Sequence, residues 1–211
     1  MSRLPDDPEA ARLEALWAGG FGDSYVERNR AAGTGRQVYW RTLVSTHQPA
    51  RVLEVGCNVG ANLKWLLGLL PPAEVVGVDI NERALTGLRQ QVPEANAMWA
   101  QARDLPFRDG WFDLTFTAGV LIHQPDSTLR QVMGELVRCS SRLVLALEYA
   151  AASPVEVPYR GERGALFKRD YGVLYQQWFP ELRLLEHGQL TKAEGWDDVT
   201  CWLFTKTPDP A

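Results

Sequence analysis

The sequence predicts an α/β fold built on a mostly parallel sheet of seven strands, with helices on both faces. Short apolar runs alternate with segments of helical spacing from residue 51 to residue 149, and this alternation is typical of crossover units. The strand-like runs are apolar almost throughout, as in RVLEVG and RLVLALEY, which indicates burial on both faces. Two more strand-like runs follow residue 181 with no helix between them, so the last strand is expected to be antiparallel.

Each element has a local signal. Strands are expected at 51–56, 74–80, 97–107 (a short strand that runs into a loop), 111–119, 142–149, 182–192 and 197–207. Helices are expected within the first fifty residues and at 62–70, 81–92, 126–140 and 170–179. Leu13, Leu16 and Trp17 share one face of the first helix. Asn81 is a capping residue for the helix that follows it, and Pro180 ends the helix before it.

The chain has the length of one domain, 1–211. Four regions are expected within it: a helical N-terminal region at 1–48, a core at 50–150, an insertion and helix at 151–180, and C-terminal strands at 181–207. Pro154 and Pro158 make the start of the insertion irregular.

Composition argues against several classes of protein. Hydrophobic residues make up 45% of the chain, yet no apolar run approaches the roughly 20 residues of a membrane span. The N-terminus lacks an apolar signal core, and the net charge of -4 argues against a nucleic-acid partner. The three cysteines and three histidines stand far apart, which predicts neither a disulfide framework nor a metal site. We therefore expect a cytoplasmic protein.

A glycine turn follows the first strand, in VLEVGCNVGANL. Gly56 and Gly60 would let the backbone approach a ligand closely, and a helix that starts near Asn62 offers unpaired N–H groups. Asp79 ends the second strand at the same edge of the sheet, where its two carboxylate oxygens can accept both hydroxyls of a ribose. These features predict a nucleoside site.

A nicotinamide dinucleotide is one candidate ligand, and the turn argues against it. Counted from Gly56, the G-x-G-x-x-G fingerprint needs glycines where Asn58 and Ala61 stand. Glu54, just before the turn, would repel a pyrophosphate but suits a cationic ligand. The E-x-G-x-x-x-G spacing, the acid that ends the second strand, and Asp104 in ARDLPF together form the pattern of an S-adenosylmethionine site.

With these motifs the chain resembles the class I S-adenosylmethionine-dependent methyltransferases over about residues 50–150, which implies a Rossmann-like, doubly wound sheet. The resemblance implies that S-adenosylmethionine is the cofactor and S-adenosylhomocysteine its product. It also implies the binding residues: Glu54, Gly56, Asn58 and Gly60 at the methionine end, Asp79 and Ile80 at the ribose and adenine, Asp104 and Leu105 over the adenine, and Ala118 and Gly119 beneath the sulfonium. Cys57 and Asn62, in the same turn, are also expected to contact the cofactor. We interpret Cys57 as a small residue that contributes its backbone.

A narrower resemblance covers nearly the whole chain. FGDSYVERN, LEVGCNVGANL, TAGVLIHQP, LVRCSSRLVLALEY and PYRGERGALFKRD occur in this order. The series is similar to the methyltransferases associated with pseudaminic acid biosynthesis. This resemblance implies a small-molecule methyltransferase and leaves the acceptor open.

Cationic side chains gather after the fifth strand, in YRGERGALFKRD at 159–170. An isolated charge run is typical of a solvated loop, but active sites in open α/β sheets lie outside the carboxyl ends of the strands. We hypothesise that Arg160, Lys168 and Arg169 bind a carboxylate or phosphate of the acceptor, with one of the two adjacent residues serving structure. Further acceptor contacts are expected from Tyr25, Arg28 and Tyr159.

His123, just past the fourth strand, is the first candidate for a catalytic group, and Tyr25 is the second. An ionised carboxylate or phosphate acceptor needs no base, whereas a hydroxyl acceptor would lose its proton to His123. Glu148, at the end of the fifth strand, either contacts the acceptor or forms an internal ion pair.

The expected activity is methyl transfer to an oxygen of a small anionic metabolite, such as an acidic or nucleotide-linked sugar. A non-catalytic S-adenosylmethionine-binding or partner subunit stays open as an alternative. Nucleic-acid methylation is disfavoured by the acidic chain and by the lack of an Asn-Pro-Pro-aromatic or Pro-Cys motif near the fourth strand. The oligomeric state stays open.

Overall fold

The computed structural model describes residues 7–29 and 34–206. The first six residues and positions 30–33 of the expected region 1–48, and the last position of the expected strand 197–207, lie outside the described residues. The strands are β1 Val52–Val55, β2 Val75–Asp79, β3 Asn96–Trp99, β4 Phe112–Ala118, β5 Ser140–Glu148, β6 Val155–Glu156, β7 Phe167–Lys168, β8 Leu182–Leu190 and β9 Val199–Lys206. The helices are α1 Pro8–Ala18, α2 Gly20–Arg28, α3 Gln37–His47, α4 Leu63–Leu66, α5 Glu82–Gln91, α6 Asp126–Cys139 and α7 Tyr171–Trp178.

Seven strands of the described chain form one sheet, in the order β3-β2-β1-β4-β5-β9-β8. β1 pairs in parallel with β2 and β4, β2 with β3, and β4 with β5. β9 runs antiparallel between β5 and β8. The predicted mostly parallel, seven-stranded sheet with an antiparallel last strand is confirmed. Parallel neighbours need long crossovers, whereas the short link at 191–198 lets β8 and β9 pair directly.

Three segments differ from the expected elements. Of the helix expected at 62–70, only Leu63–Leu66 is regular, and the strand expected from 97 is confined to Asn96–Trp99. The segment after β5 contains a small hairpin of β6 and β7. Its first strand fits between Pro154 and Pro158, whose missing N–H groups keep it short.

Both faces of the sheet carry a hydrophobic core, and β5 shows the alternation. Leu143, Leu145 and Leu147 join the core packed by α3, α4 and α5. Val144 and Ala146 join the core packed by α6 and α7. Because both faces are covered, the strands are apolar along their length, and the edge at their carboxyl ends is left for a binding site.

Among residues 7–29 and 34–206, no helix is long and apolar enough to cross a membrane. The same residues hold no group of three or more His, Cys, Asp or Glu side chains that could bind a metal ion. Cys57, Cys139 and Cys201 are buried and free.

Candidate active site

A cavity of about 490 Å³ opens at the carboxyl ends of β1, β2, β4 and β5, beneath α1 and α2. Ligands of open α/β sheets bind at this edge. The predicted residues that line it are Tyr25, Arg28, Glu54, Gly56, Cys57, Asn58, Asn62, Asp79, Ile80, Ala118, Gly119, His123, Tyr159 and Arg160. The predicted residues Gly60, Asp104, Leu105, Glu148, Lys168 and Arg169 do not line it.

The glycine turn is fixed against the end of β2. The N–H groups of Gly56 and Cys57 donate to the carbonyl of Val78 at 2.8 and 3.0 Å. Gly56 has a φ of 78°, and a Cβ at this position would lie 2.3 Å from the side chain of Val120. Only glycine combines this backbone conformation with this close approach. The turn therefore packs directly on the loop that follows β4.

Asp79 connects the glycine turn to the start of α5. Its Oδ2 accepts from the N–H of Asn58 and its Oδ1 from the N–H of Asn81, each at 2.8 Å. Burial raises the pKa of Asp79. A carboxylate has about four acceptor positions, so both oxygens keep lone pairs for ligand hydroxyls.

Glu54 is a buried carboxylate at the other side of the turn. Its Oε1 accepts from Asn62 Nδ2 at 2.6 Å, while Oε2 is buried and has no hydrogen-bond partner in the described chain. Burial raises the pKa of Glu54 to about 8. A buried polar atom without a partner costs free energy, so this oxygen is available to a ligand that carries a donor or a positive charge.

Arg36 is a lining residue that the sequence did not identify. Its Nη1 donates to Asn62 Oδ1 at 3.0 Å, and its Nε donates to the Gly195 carbonyl at 2.9 Å. Its guanidinium lies 4.2 Å from the ring centre of Trp196. These partners come from α4's N-terminus and from the link between β8 and β9, far from Arg36 in sequence, so no local signal could have found it.

The loop after β3 corrects the prediction for Asp104 and Leu105. Asp104 is exposed, and Leu105 is buried in the core. Ala102 and Arg103 line the cavity instead. A tight turn closed by the hydrogen bond from Asp104 N–H to the Gln101 carbonyl at 3.1 Å directs the acidic side chain away from the site.

The N-terminal helices are attached to this edge of the sheet by polar contacts. Arg103 donates to both carboxylate oxygens of Glu14, at 2.6 and 3.0 Å. Asn81 Nδ2 donates to the Trp17 carbonyl at 2.9 Å and to Asp23 Oδ1 at 3.1 Å. Because the N–H of Asn81 also donates to Asp79, the helices and the part of the cavity beside Asp79 share one network.

His123 lies in a 3₁₀ turn, Leu121–His123, after β4 and lines the cavity. Its Nδ1 is 2.6 Å from the carbonyl oxygen of Ala165, which can only accept. We therefore assign the neutral tautomer with the proton on Nδ1, which leaves Nε2 as the acceptor nitrogen. Burial lowers the pKa of His123 to about 4, so the ring is neutral at pH 7 and can take a proton.

Tyr25 lines the cavity from α2 and belongs to an aromatic cluster. Its ring centre lies 5.4 Å from that of Trp17, which in turn lies 4.2 Å from His123. Burial raises the pKa of Tyr25 well above its usual value. The hydroxyl is therefore protonated at neutral pH, so Tyr25 can donate a hydrogen bond but cannot act as a general base.

The cationic residues after β5 separate into different environments. Arg160 lines the cavity, with its guanidinium 5.9 Å from the ring centre of Tyr159 and a φ of 52°. Lys168 lies 5.6 Å from the ring centre of Tyr149. Arg169 is buried and ion-paired with a residue of α6. Of the three cations predicted in this segment to bind the acceptor, the structure thus brings Arg160 to the cavity.

Glu148 faces away from the cavity, which corrects its prediction as an acceptor contact. Its carboxylate is buried and accepts from the backbone of the loop after β4. It forms no ion pair among the described residues, so the internal ion pair is not found either. The end of β5 directs Glu148 toward the loop, while the next residue, Tyr149, lines the cavity.

Part of this chain is similar to known methyltransferases. Residues 52–142, less than half of the chain, match the family model described as Methyltransferase domain. An O-methyltransferase of Penicillium expansum, cnsE, is 31% identical over 110 residues, which cover 49% of this chain and 40% of that protein. A malonyl-[acyl-carrier protein] O-methyltransferase of Legionella pneumophila is 34% identical over 110 residues, which cover 49% and 37%. The chain thus spans about two fifths of the length of these curated relatives.

Solved methyltransferase structures share the fold over almost the whole chain. The 1,6-didemethyltoxoflavin-N1-methyltransferase of Burkholderia thailandensis, solved with S-adenosylhomocysteine, has a TM-score of 0.72 and 13% identity, covering 98% of this chain and 93% of that one. Magnesium protoporphyrin IX methyltransferase of Synechocystis PCC 6803, solved with S-adenosylmethionine, has a TM-score of 0.66 and 13% identity, covering 97% and 100%. The fold is therefore the Rossmann-like fold of S-adenosylmethionine-dependent methyltransferases.

Proposed function

We propose that the protein is a cytoplasmic enzyme that transfers a methyl group from S-adenosylmethionine to an oxygen of a small anionic metabolite. The observation that carries the proposal is Glu54 Oε2, a buried carboxylate oxygen without a partner in the described chain, on a residue that lines the cavity. Such an oxygen is stabilised by a charged donor. The ammonium group of S-adenosylmethionine is a donor of this kind.

The lining residues fit the other parts of S-adenosylmethionine as well. Arg36 and Trp196 would donate to its carboxylate, since the buried Trp196 Nε1 has no partner among the described residues. Asp79 would accept from the ribose hydroxyls with its remaining lone pairs. Ala102 and Arg103, in the loop after β3, would lie beside the adenine. The ammonium, carboxylate, ribose and adenine of the ligand would thus each have a partner in the lining.

When bound, S-adenosylmethionine supplies a methyl group made electrophilic by a positively charged sulfur. The chain contributes by holding donor and acceptor in line, and alignment alone can lower a barrier by about 7–11 kcal/mol. His123 Nε2 would take the proton of a hydroxyl acceptor, which adds about 10²–10⁴-fold. Trp17 of α1 and Tyr25 of α2 would cover the acceptor.

Two arginines support an anionic acceptor. Arg28 and Arg160 line the cavity, and each guanidinium lies over its neighbouring tyrosine, at 5.8 and 5.9 Å. None of the ion pairs found in residues 7–29 and 34–206 includes either arginine. Cations left without a counter-ion at a cavity favour a ligand with negative charge.

The two relatives described above are O-methyltransferases, which supports an oxygen as the methylated atom. An acidic or nucleotide-linked sugar has both a hydroxyl and a negative charge. The resemblance to the methyltransferases associated with pseudaminic acid biosynthesis supports a small-molecule acceptor.

The test separates donor binding from turnover. Calorimetry with S-adenosylhomocysteine should show binding that Asp79→Ala weakens. Incubation with methyl-labelled S-adenosylmethionine and a panel of acidic sugars, nucleotide sugars and phosphorylated metabolites, read by mass spectrometry, should reveal the acceptor. A folded protein that binds neither S-adenosylmethionine nor S-adenosylhomocysteine would overturn the proposal. Binding without donor consumption, even with a cell extract added, would instead indicate a non-catalytic binding subunit.

A further inference from the structure

The carboxylate of Glu148 accepts hydrogen bonds from three consecutive backbone N–H groups of the loop after β4. Its Oε1 accepts from Val120 and Leu121, each at 3.2 Å. Its Oε2 accepts from Ile122 at 3.4 Å. A single side chain at the end of β5 therefore binds the backbone on which His123 stands, although Glu148 itself does not line the cavity.

The loop at 120–123 runs between the side of the cavity proposed for the donor and the side that His123 lines. Ala118 and Gly119, just before it, line the donor side, and His123, at its end, lines the cavity as the candidate base. The side chain of Val120 occupies the space that a Cβ on Gly56 would need. A shift of the loop would therefore move the glycine turn and the imidazole together.

Within the described chain, dipoles and not a counter-ion balance the charge of Glu148: the N–H groups of the loop and the hydroxyl of Thr117 in β4. The side chain is buried and has no cationic partner among the described residues. A buried carboxylate is stabilised by backbone N–H groups only where they point at it. The place of the carboxylate at the end of β5 therefore determines where the loop can lie.

We propose that Glu148 is a positioning residue, which holds the loop at 120–123 and thereby sets the position of His123 at the acceptor. This inference rests on the proposed function for its kinetic consequence. The role differs from acceptor binding, because Glu148 acts through the backbone. Its loss should therefore lower the rate of the methyl-transfer step while donor binding persists.

Titration provides a direct signature of this contact. Burial raises the pKa of Glu148 to about 7. The titratable groups that interact with it are Tyr149, with a pKa of about 12, and Tyr171 and Tyr175 of α7, whose pKa values are also raised by burial. His123, at the end of the same loop, has a pKa of about 4. Between the pKa of His123, about 4, and that of Tyr149, about 12, Glu148 is therefore the residue among these five that changes its charge.

The first experiment follows the amide signals of the full chain by ¹H–¹⁵N NMR from about pH 5.5 to about pH 8.5. The amides of Val120, Leu121 and Ile122 should shift with one shared midpoint near 7. Glu148→Gln, which keeps the size of the side chain, should abolish this shift. Glu181→Gln, an exposed change with the same loss of charge, should preserve it. The inference is overturned if the three amides do not titrate or if they titrate unchanged in Glu148→Gln.

The second experiment measures turnover with the acceptor that the panel identifies. Glu148→Gln should lower kcat by about 10- to 100-fold, because a misplaced catalytic group can cost a factor of 100. Affinity for S-adenosylhomocysteine should stay close to that of the wild type. An active wild type with an equally active Glu148→Gln would refute the positioning role alone. A wild type without donor turnover would refute the proposed function, while the amide titration would still decide whether Glu148 holds the loop.

Discussion

Arg169 donates two hydrogen bonds to one carboxylate oxygen of Asp126, from Nε at 3.0 Å and from Nη2 at 2.7 Å. The guanidinium is 5% exposed, whereas Asp126 is 88% exposed. The pair joins the segment after β5 to the first residue of α6, next to the loop that carries His123. Of the two adjacent cations Lys168 and Arg169, the second is therefore the structural one.

Asp126→Ala should lower the free energy of unfolding by about 1–2 kcal/mol, because it leaves the buried Arg169 guanidinium short of an acceptor. This loss is at the low end of the range for a hydrogen bond to a charged group, because solvent screens the exposed Asp126. Urea unfolding measures it. Glu82→Ala is the matched control, because Glu82 is also an exposed acid in the first turn of a helix, α5. Equal losses in both variants would show that only the helix dipole is involved.

Arg160→Ala should raise the KM for the acceptor by about 10- to 100-fold, as expected for the loss of a hydrogen bond to a charged group. Donor affinity should persist, because Arg160 is proposed to contact the acceptor and not the donor. Steady-state kinetics and calorimetry measure the two quantities separately. Lys168→Ala removes a neighbouring charge that does not line the cavity, so it serves as the control. An unchanged acceptor KM in Arg160→Ala would contradict the anion-binding role.

Glu54 should make donor binding depend on pH. Its pKa of about 8 in the free protein exceeds the usual value of 4.5, so the carboxyl is largely protonated at pH 7. Pairing with the donor's ammonium favours the ionised form, so binding at pH 7 should release close to one proton. Affinity should therefore rise between about pH 6 and about pH 8.

Calorimetry in buffers of different ionisation enthalpy counts this released proton. Glu54→Gln should weaken donor binding and remove the proton release. The same raised pKa has an opposite effect on the free protein: the contribution of Glu54 to folding stability falls as the pH rises from about 4.5 to about 8. Donor binding that is independent of pH and releases no proton would contradict the pairing of Glu54 with the ammonium.

His123→Ala should lower kcat by about 10²–10⁴-fold, the usual contribution of a general base. The imidazole is neutral above its pKa of about 4, so protonation of His123 should not lower the rate until the pH approaches that value, and a fall in rate near pH 7 would belong to Glu148. A pH–rate profile and single-turnover kinetics measure both effects. A loss below about tenfold would instead show that the acceptor oxygen is already ionised and that alignment is sufficient.

The local sequence predicted the fold well because its signals lie within single elements. Apolar runs identified the strands of the sheet, and Asn81 caps α5 through a hydrogen bond to Ala84 N–H at 2.8 Å. The glycine turn and Asp79 could be placed together because parallel strands end at one edge. The sequence could not show which of Arg103 and Asp104 faces the cavity, because a single tight turn reverses the direction of successive side chains.

What the sequence determined by itself was the class of site: an acid, a glycine turn and a second acid at the ends of neighbouring strands, since these features follow from periodicity and short spacing. Only the tertiary structure decided the surroundings of each charge. It placed Arg36 beside Asn62, paired Arg169 with α6, and turned Glu148 toward the backbone of the loop after β4. These assignments depend on contacts between distant segments, and burial, which sets the cost of each charge, exists only after the chain has folded.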